Sequence, residues 1–311
     1  MSAEPVAVAT PVQDQQGDTL KGFVLALIVF LLWGVLPLYM KLVTHLPTGE
    51  ILAHRIIWSL PFAGAMVAYS GQSRIVTGVL RKPKMMGLVL LCSLFITLNW
   101  GTYIYAVATA QTVDAALGYF INPLFSIALA ALILREKLGR GQMLAVALAF
   151  SAVVILTVEL GRLPMVALLL PLSFGAYAFL HKIMPVEGTT AFTLEAMVLS
   201  GPALAYIIWL EATGAGHFLQ SPATAALLIG CGAATAIPLL IYANATKLLR
   251  LSTIGIMQYI APSVIFLIAV LIFREPLEPA KLVAFILIWI ALVIYTAPMI
   301  RRKRKAQVST H

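Results

Sequence analysis

Charge is scarce in this chain: 11% of its 311 residues are Asp, Glu, Lys or Arg, against 61% hydrophobic. That balance excludes a water-soluble domain, which cannot hide so much apolar surface in its core, and the mean hydropathy of +0.97 places the chain in a bilayer. Cysteine is nearly absent. Cys92 and Cys231 fall in apolar runs without metal-ligand spacing, so each reads as a small free hydrophobe, and neither a disulfide nor a thiolate metal site is expected. Period-2 alternation of the barrel type is missing, which leaves helices as the spanning element. The chain has no G-x-x-x-x-G-K-[ST] loop, no H-E-x-x-H and no G-x-S-x-G, so nothing points to a nucleotide motor, an enzyme or a bound cofactor. Residues 1–20 lack the basic start of a cleaved signal and read as a disordered tail.

What the chain does have is long apolar runs near the roughly 20 residues that a helix needs to cross a bilayer. Ten spans are predicted, at 21–43, 50–69, 86–109, 113–134, 141–159, 163–181, 191–211, 222–246, 252–273 and 280–300. The formal charge of +9 is concentrated in short loops and in the basic tail 301–311, which marks topology and not a nucleic-acid partner. On alternate sides the Lys and Arg residues divide 16 to 3, with Lys41 and Arg55 left in or beside spans. Both termini are therefore expected in the cytoplasm.

The stretch from Leu117 to Phe150 is written a second time. A shift of 139 residues puts Phe120 on Tyr259, Pro123 on Pro262, Arg135-Glu136 on Arg274-Glu275, Cys92 on Cys231 and Tyr103 on Tyr242. A shift of 141 pairs Gly34 with Gly175, Lys41 with Lys182 and Pro61 with Pro202. The chain thus divides into two five-helix units, 21–160 and 161–300. An odd number of crossings inverts the second unit, an arrangement typical of secondary transporters with a site where the halves meet.

Several polar groups stand inside these spans. Glu50, His54 and Trp58 form one stripe on the second helix, with Arg55 about 100° round from it. One reading makes them a wall of the substrate path, with His54 or Glu50 able to carry a proton; the other makes Glu50 a helix N-terminal acid and lets Arg55 snorkel to the interface. The fourth span sets Asp114, Gly118 and Asn122 on one face beside Tyr119 and Pro123, and its repeat offers Gln258, Tyr259 and Pro262. Such a face suits a cavity lining, or else two kinked helices satisfying their neighbours. Asn99 and Tyr103 share a face of the third span, and Tyr242 answers Tyr103 in the eighth. Glu195 is a second membrane carboxylate that either pairs with a base or takes up a proton. Lys41 and Lys182 read as snorkelling ends, and Arg135-Glu136 and Arg274-Glu275 as charges complementing the helices before and after them.

The segments WGVLPLYMKL (33–42), PTGEILAHRIIWS (47–59), ALGYFINPL (116–124), SFGAYAFLHK (173–182) and LSTIGIMQYIAP (251–262) together resemble the RarD branch of the EamA, drug/metabolite transporter superfamily. Asp114 stands where that branch usually has Glu, and His181 precedes Lys182 where a second basic residue is usual. The resemblance implies a bacterial inner-membrane permease with cytoplasmic termini, whose relatives export amino acids and other small metabolites. The expectation is an all-α polytopic protein of ten membrane helices in two inverted five-helix repeats. Its function would be to export a small organic metabolite, amino acid or drug-like compound by alternating access. A passive uniporter or channel-like facilitator is the alternative. The expected partners are the substrate and the lipid bilayer.

Overall fold

The computed structural model describes residues 18–133 and 138–308, with backbone only for Ile127, Ala130, Ile133, Ala243, Leu251, Ser252 and 298–308. Residues 1–17 and the Arg135-Glu136 pair lie outside the described residues. Every regular element among those described is a helix. They are α1 (Leu20–Val43), α2 (Thr48–Tyr69), α3 (Ser73–Leu80), α4 (Pro83–Ala108), α5 (Thr112–Ile133), α6 (Arg140–Leu160), α7 (Met165–Ile183), α8 (Gly188–Ala212), α9 (Pro222–Lys247), α10 (Leu251–Met257), α11 (Ile260–Leu267) and α12 (Pro279–Val308). Nine described helical stretches are long and apolar enough to cross a membrane. The 22-residue α5 is a tenth long helix. The chain is therefore a polytopic all-α membrane protein.

Local chemistry sets many of the boundaries. The Thr19 hydroxyl accepts from Gly22 N to cap α1, and Ser221 accepts from Thr224 N to cap α9, where Pro222 opens the helix. Gly161 closes α6 with φ of 61°, a left-handed conformation that costs glycine little.

The structure differs from the sequence reading at three places. The loop 70–85 contains a helix, α3, whose Val76 and Val79 pack with Val89, Cys92 and Leu194. The ninth span is broken: α10 ends at Met257, α11 starts at Ile260, and Ile268–Ile272 form a π turn. Pro262 contributes to the break, since it has no N–H to give to the carbonyl four residues earlier, at Gln258, but proline alone does not break a helix here: α1, α2 and α7 each run on through one. Its repeat partner Pro123 sits within an unbroken α5. Finally, α12 does not stop near residue 300 but continues through the basic run to Val308.

Packing pairs α1 with α9 and α11, α7 with α4 and α5, α2 with α8 and α9, and α6 with α12. Glycines permit the closest approaches. A Cβ on Gly34 of α1 would fall 2.6 Å from Val264 Cβ on α11, and one on Gly175 of α7 would fall 2.7 Å from Phe125 on α5. A Cβ on Gly232 of α9 would run into the backbone of Trp58 on α2. The repeat-equivalent pair α4 and α8 meets much more sparsely than α2 and α9. Between α2, α4 and α8 lies a narrow void, too small to hold a water molecule, lined by Ser59, Trp100, Phe192 and Glu195 among others.

Candidate functional site

The polar stripe of α2 is held from outside the membrane helices, by the loop between α8 and α9. Glu50, in the first turn, is 1% exposed. Its two oxygens accept from His217 N and His217 Nδ1, each at 2.7 Å. The next residue, Phe218, donates its backbone N–H to Glu211 at 3.2 Å and lays its ring on α2. It stacks on His54 at 4.8 Å and 14°, and on Trp58 at 5.9 Å and 23°. Trp58 Nε1 donates to His54 Nδ1 at 3.2 Å, while His54 Nε2 is buried without a partner. The loop is thus a cap over the start of α2. Sequence reasoning found Glu50, His54 and Trp58 but missed His217 and Phe218, because nothing in a short polar loop marks what it folds onto.

Arg55 points elsewhere. It is 6% exposed, so the snorkelling alternative is corrected: the guanidinium is buried among α4, α5 and α9 and does not reach the interface. Arg55 Nε donates to Thr235 Oγ1 of α9 at 2.7 Å, and the guanidinium carbon stands 4.5 Å from the centre of the Trp100 ring of α4. Thr235 is held in turn by its bond to Cys231 O, at 2.8 Å. The phenols of Tyr119 and Tyr103 are electrostatic neighbours of Arg55, and their rings tilt together at 5.9 Å. Arg55 Nη1 and Tyr103 OH are both buried without hydrogen-bond partners.

A second polar focus lies on α8. Glu195, 1% exposed, accepts from Tyr177 OH at 3.1 Å and lies 2.7 Å from His181 Nε2. The 141-residue shift places His54 on Glu195, so the two halves carry a titratable group at equivalent points, a correspondence that is legible in the sequence. Cys92 Sγ completes a trio with His181 and Glu195 whose ligand atoms lie within 4.8 Å of one another. Both carboxylate oxygens already have protein partners, so this group is closed by its own hydrogen bonds.

The other sequence candidates separate. The Asn99 amide donates to Leu170 O and to Ser173 Oγ, both at 3.1 Å, which clasps α4 to α7. Tyr242 packs with Phe30 and Trp33 in a separate aromatic group. Tyr259 stacks on Phe120 at 6.3 Å with its hydroxyl unpartnered, and the Asn122 Oδ1 is likewise buried and unpartnered. Gln258 sits at the break between α10 and α11. Asp114 pairs with Lys281 at 3.2 Å, and a Cβ on Gly118 would meet Ala167 O at 3.2 Å, so this end of the α5 face packs on protein. Glu275 does not complement α12, as the sequence reading had it: its Oε2 accepts from Val113 N at the start of α5, at 2.9 Å. Arg274, at φ of 56°, turns the chain into that position. Lys41 is exposed and lies 5.2 Å from the Phe273 ring centre, and Lys182 is exposed.

Residues 20–158 match the model of the EamA-like transporter family. The chain is 40% identical over 277 residues to Protein RarD of Streptomyces exfoliatus, covering 89% of this chain and 88% of that one. It is 39% identical over 299 residues to the uncharacterized transporter YojE of Bacillus subtilis, covering 94% and 99%, and 36% identical over 289 residues to Protein RarD of Escherichia coli, covering 93% and 98%. A solved crystal structure of a protein 19% identical superposes with a TM-score of 0.56 over 90% of this chain and 98% of its own, a likeness of fold. The chain belongs to the RarD branch of the EamA-like transporter family, in the drug/metabolite transporter superfamily, and is a membrane transporter and not an enzyme.

Proposed function

We propose that the protein is a secondary carrier that exports a small organic metabolite, amino acid or drug-like compound across a bacterial inner membrane by alternating access, with both termini cytoplasmic. The observation that carries this reading is the unequal packing of two repeat-equivalent helix pairs. α2 and α9 are in close contact, with Gly232 against Trp58, whereas α4 and α8 touch more sparsely, through Trp100 and Phe192, and border the void. If the halves are inverted copies, exchanging the two packings moves access from one face to the other. The Phe218 cap on His54 and Trp58 then acts as a gate on the periplasmic side. The centre between α2, α4, α5 and α9 holds Arg55, Trp100, Tyr103 and Tyr119, an aromatic wall with a few orienting polar groups of the kind that binds small amphipathic molecules. His54, Glu50 and Glu195 are the groups that would couple flux to protons: His54 Nε2 is buried and unpartnered, and each carboxylate shares a 2.7 Å contact with a histidine ring.

Reconstituted liposomes preloaded with amino acids or drug-like compounds test the carrier directly. Labelled uptake is expected to accelerate when the same compound is inside. Flux that is indifferent to the internal compound would make the protein a channel-like facilitator.

A further inference from the structure

Charge accounting across the described buried residues leaves two charged groups outside any ion pair, Glu275, which accepts a backbone N–H, and the cation Arg55. The described buried carboxylates are Glu50, Asp114, Glu195 and Glu275. Glu50 is engaged by His217, Glu195 by His181, Asp114 by Lys281 and Glu275 by the Val113 N–H. Arg55 takes part in none of the ion pairs among the described residues. Its neutral partners are the Thr235 hydroxyl and the face of Trp100. A cation in that state loses its hydration without gaining a counter-charge, and charged groups inside membrane helices are tolerated when they pair or face a pathway.

We propose that Arg55 is the receptor for a carboxylate carried by the transported molecule, which makes the substrate a small organic acid or zwitterion with an apolar body. This rests on the carrier reading for its setting. Two buried donors lack acceptors here, Arg55 Nη1 and the Tyr103 hydroxyl. A carboxylate supplies what they lack, two acceptor oxygens and one negative charge, and the guanidinium is the side chain whose planar fork matches that geometry. The charge favours a carboxylate over a phosphate monoester. Arg55 is the one Arg or Lys among the described buried groups; the other buried base, His54, is engaged by the Trp58 N–H and the Phe218 ring, and Lys281, the nearest lysine to being buried, is paired with Asp114. A dianion would thus stay half uncompensated. Trp100 fits the rest of the molecule: its ring holds Arg55 and also borders the void between α2, α4 and α8. A carboxylate on Arg55 therefore places the attached apolar group on the Trp100 side, towards that void.

The test is binding, read without transport. Purified protein in lipid nanodiscs is titrated with the twenty amino acids and 3-phenylpropionate, each beside its primary amide, using thermal shift and tryptophan fluorescence. At least one acid is expected to bind tenfold or more tightly than its amide. Arg55→Gln should bring that ratio to within about twofold, and Tyr103→Phe should lower it severalfold. If Arg55→Gln does not fold, Tyr103→Phe and the acid-to-amide ratio of the wild type decide. Equal binding of acids and amides by the wild type, a ratio that survives Arg55→Gln, or tighter binding of 2-phenylethyl phosphate than of any carboxylate would each overturn the assignment. Counterflow separates the two readings. Exchange of a neutral compound that ignores Arg55→Gln removes the carboxylate site and keeps the carrier; carboxylate binding without any exchange does the reverse.

Discussion

Glu50 and His217, 167 residues apart, are joined by two hydrogen bonds of 2.7 Å, one from the backbone and one from the ring. Hydrogen bonds to a charged acceptor are worth about 1.5–3 kcal/mol each when buried. Glu50→Gln should therefore loosen the cap, raising amide hydrogen exchange across 214–221 by tenfold or more while α6 and α12 keep their protection. Unchanged exchange in the loop would show that the cap is held by the Phe218 stack alone.

Gly232→Leu should be strongly destabilising, because its side chain would occupy the backbone of Trp58 and force α2 and α9 apart. Overpacking of this kind costs about 1–3 kcal/mol or more. Gly64→Leu, on α2 with nothing within 4 Å of its Cβ, is the control and should leave the unfolding temperature close to wild type. Similar melting of both variants would contradict the close approach.

Much of the fold could be read in advance because its cause is local in sequence. Apolar runs of the right length announce the spans, and the repeat shifts announce which residues answer each other. The same shifts map Gly34 onto Gly175 and Phe125 onto Val264, and in the structure Gly34 meets Val264 while Gly175 meets Phe125. What sequence could not show is where chain-distant segments land. α3 is too short to stand out from its loop, and the cap residues His217 and Phe218 gain their meaning from α2. Glu275 serves the start of α5 in the other half. Asn99 and Arg55 are both buried polar groups, and which of them is satisfied by protein depends on neighbours 71 and 180 residues away.

Asn99→Ala should separate structure from binding. Its two bonds to α7 are internal, so their loss should lower stability by about 1–3 kcal/mol in a detergent melt. In proteoliposomes the folded fraction should keep the wild-type KM. A KM raised tenfold with unchanged stability would return Asn99 to the substrate path.

Glu195→Gln tests coupling. If this carboxylate hands on the proton that drives net export, the variant should retain counterflow and lose the response of net flux to an imposed pH gradient. His54→Gln should lose that response as well; a response left intact would confine His54 to the Phe218 stack. Wild-type flux that ignores the gradient would make the protein a uniporter.

The central claim is that two repeat-equivalent helix pairs exchange their packing. Spin labels on exposed positions related by the same shifts test it: Ala65 with Ile237 across α2 and α9, and Tyr206 with Leu98 across α8 and α4. In nanodiscs both pairs should show a short and a long distance, and conditions that lengthen the Ala65–Ile237 separation should shorten Tyr206–Leu98. One fixed distance in either pair, or two separations that rise and fall together, would contradict alternating access by exchange of the two halves.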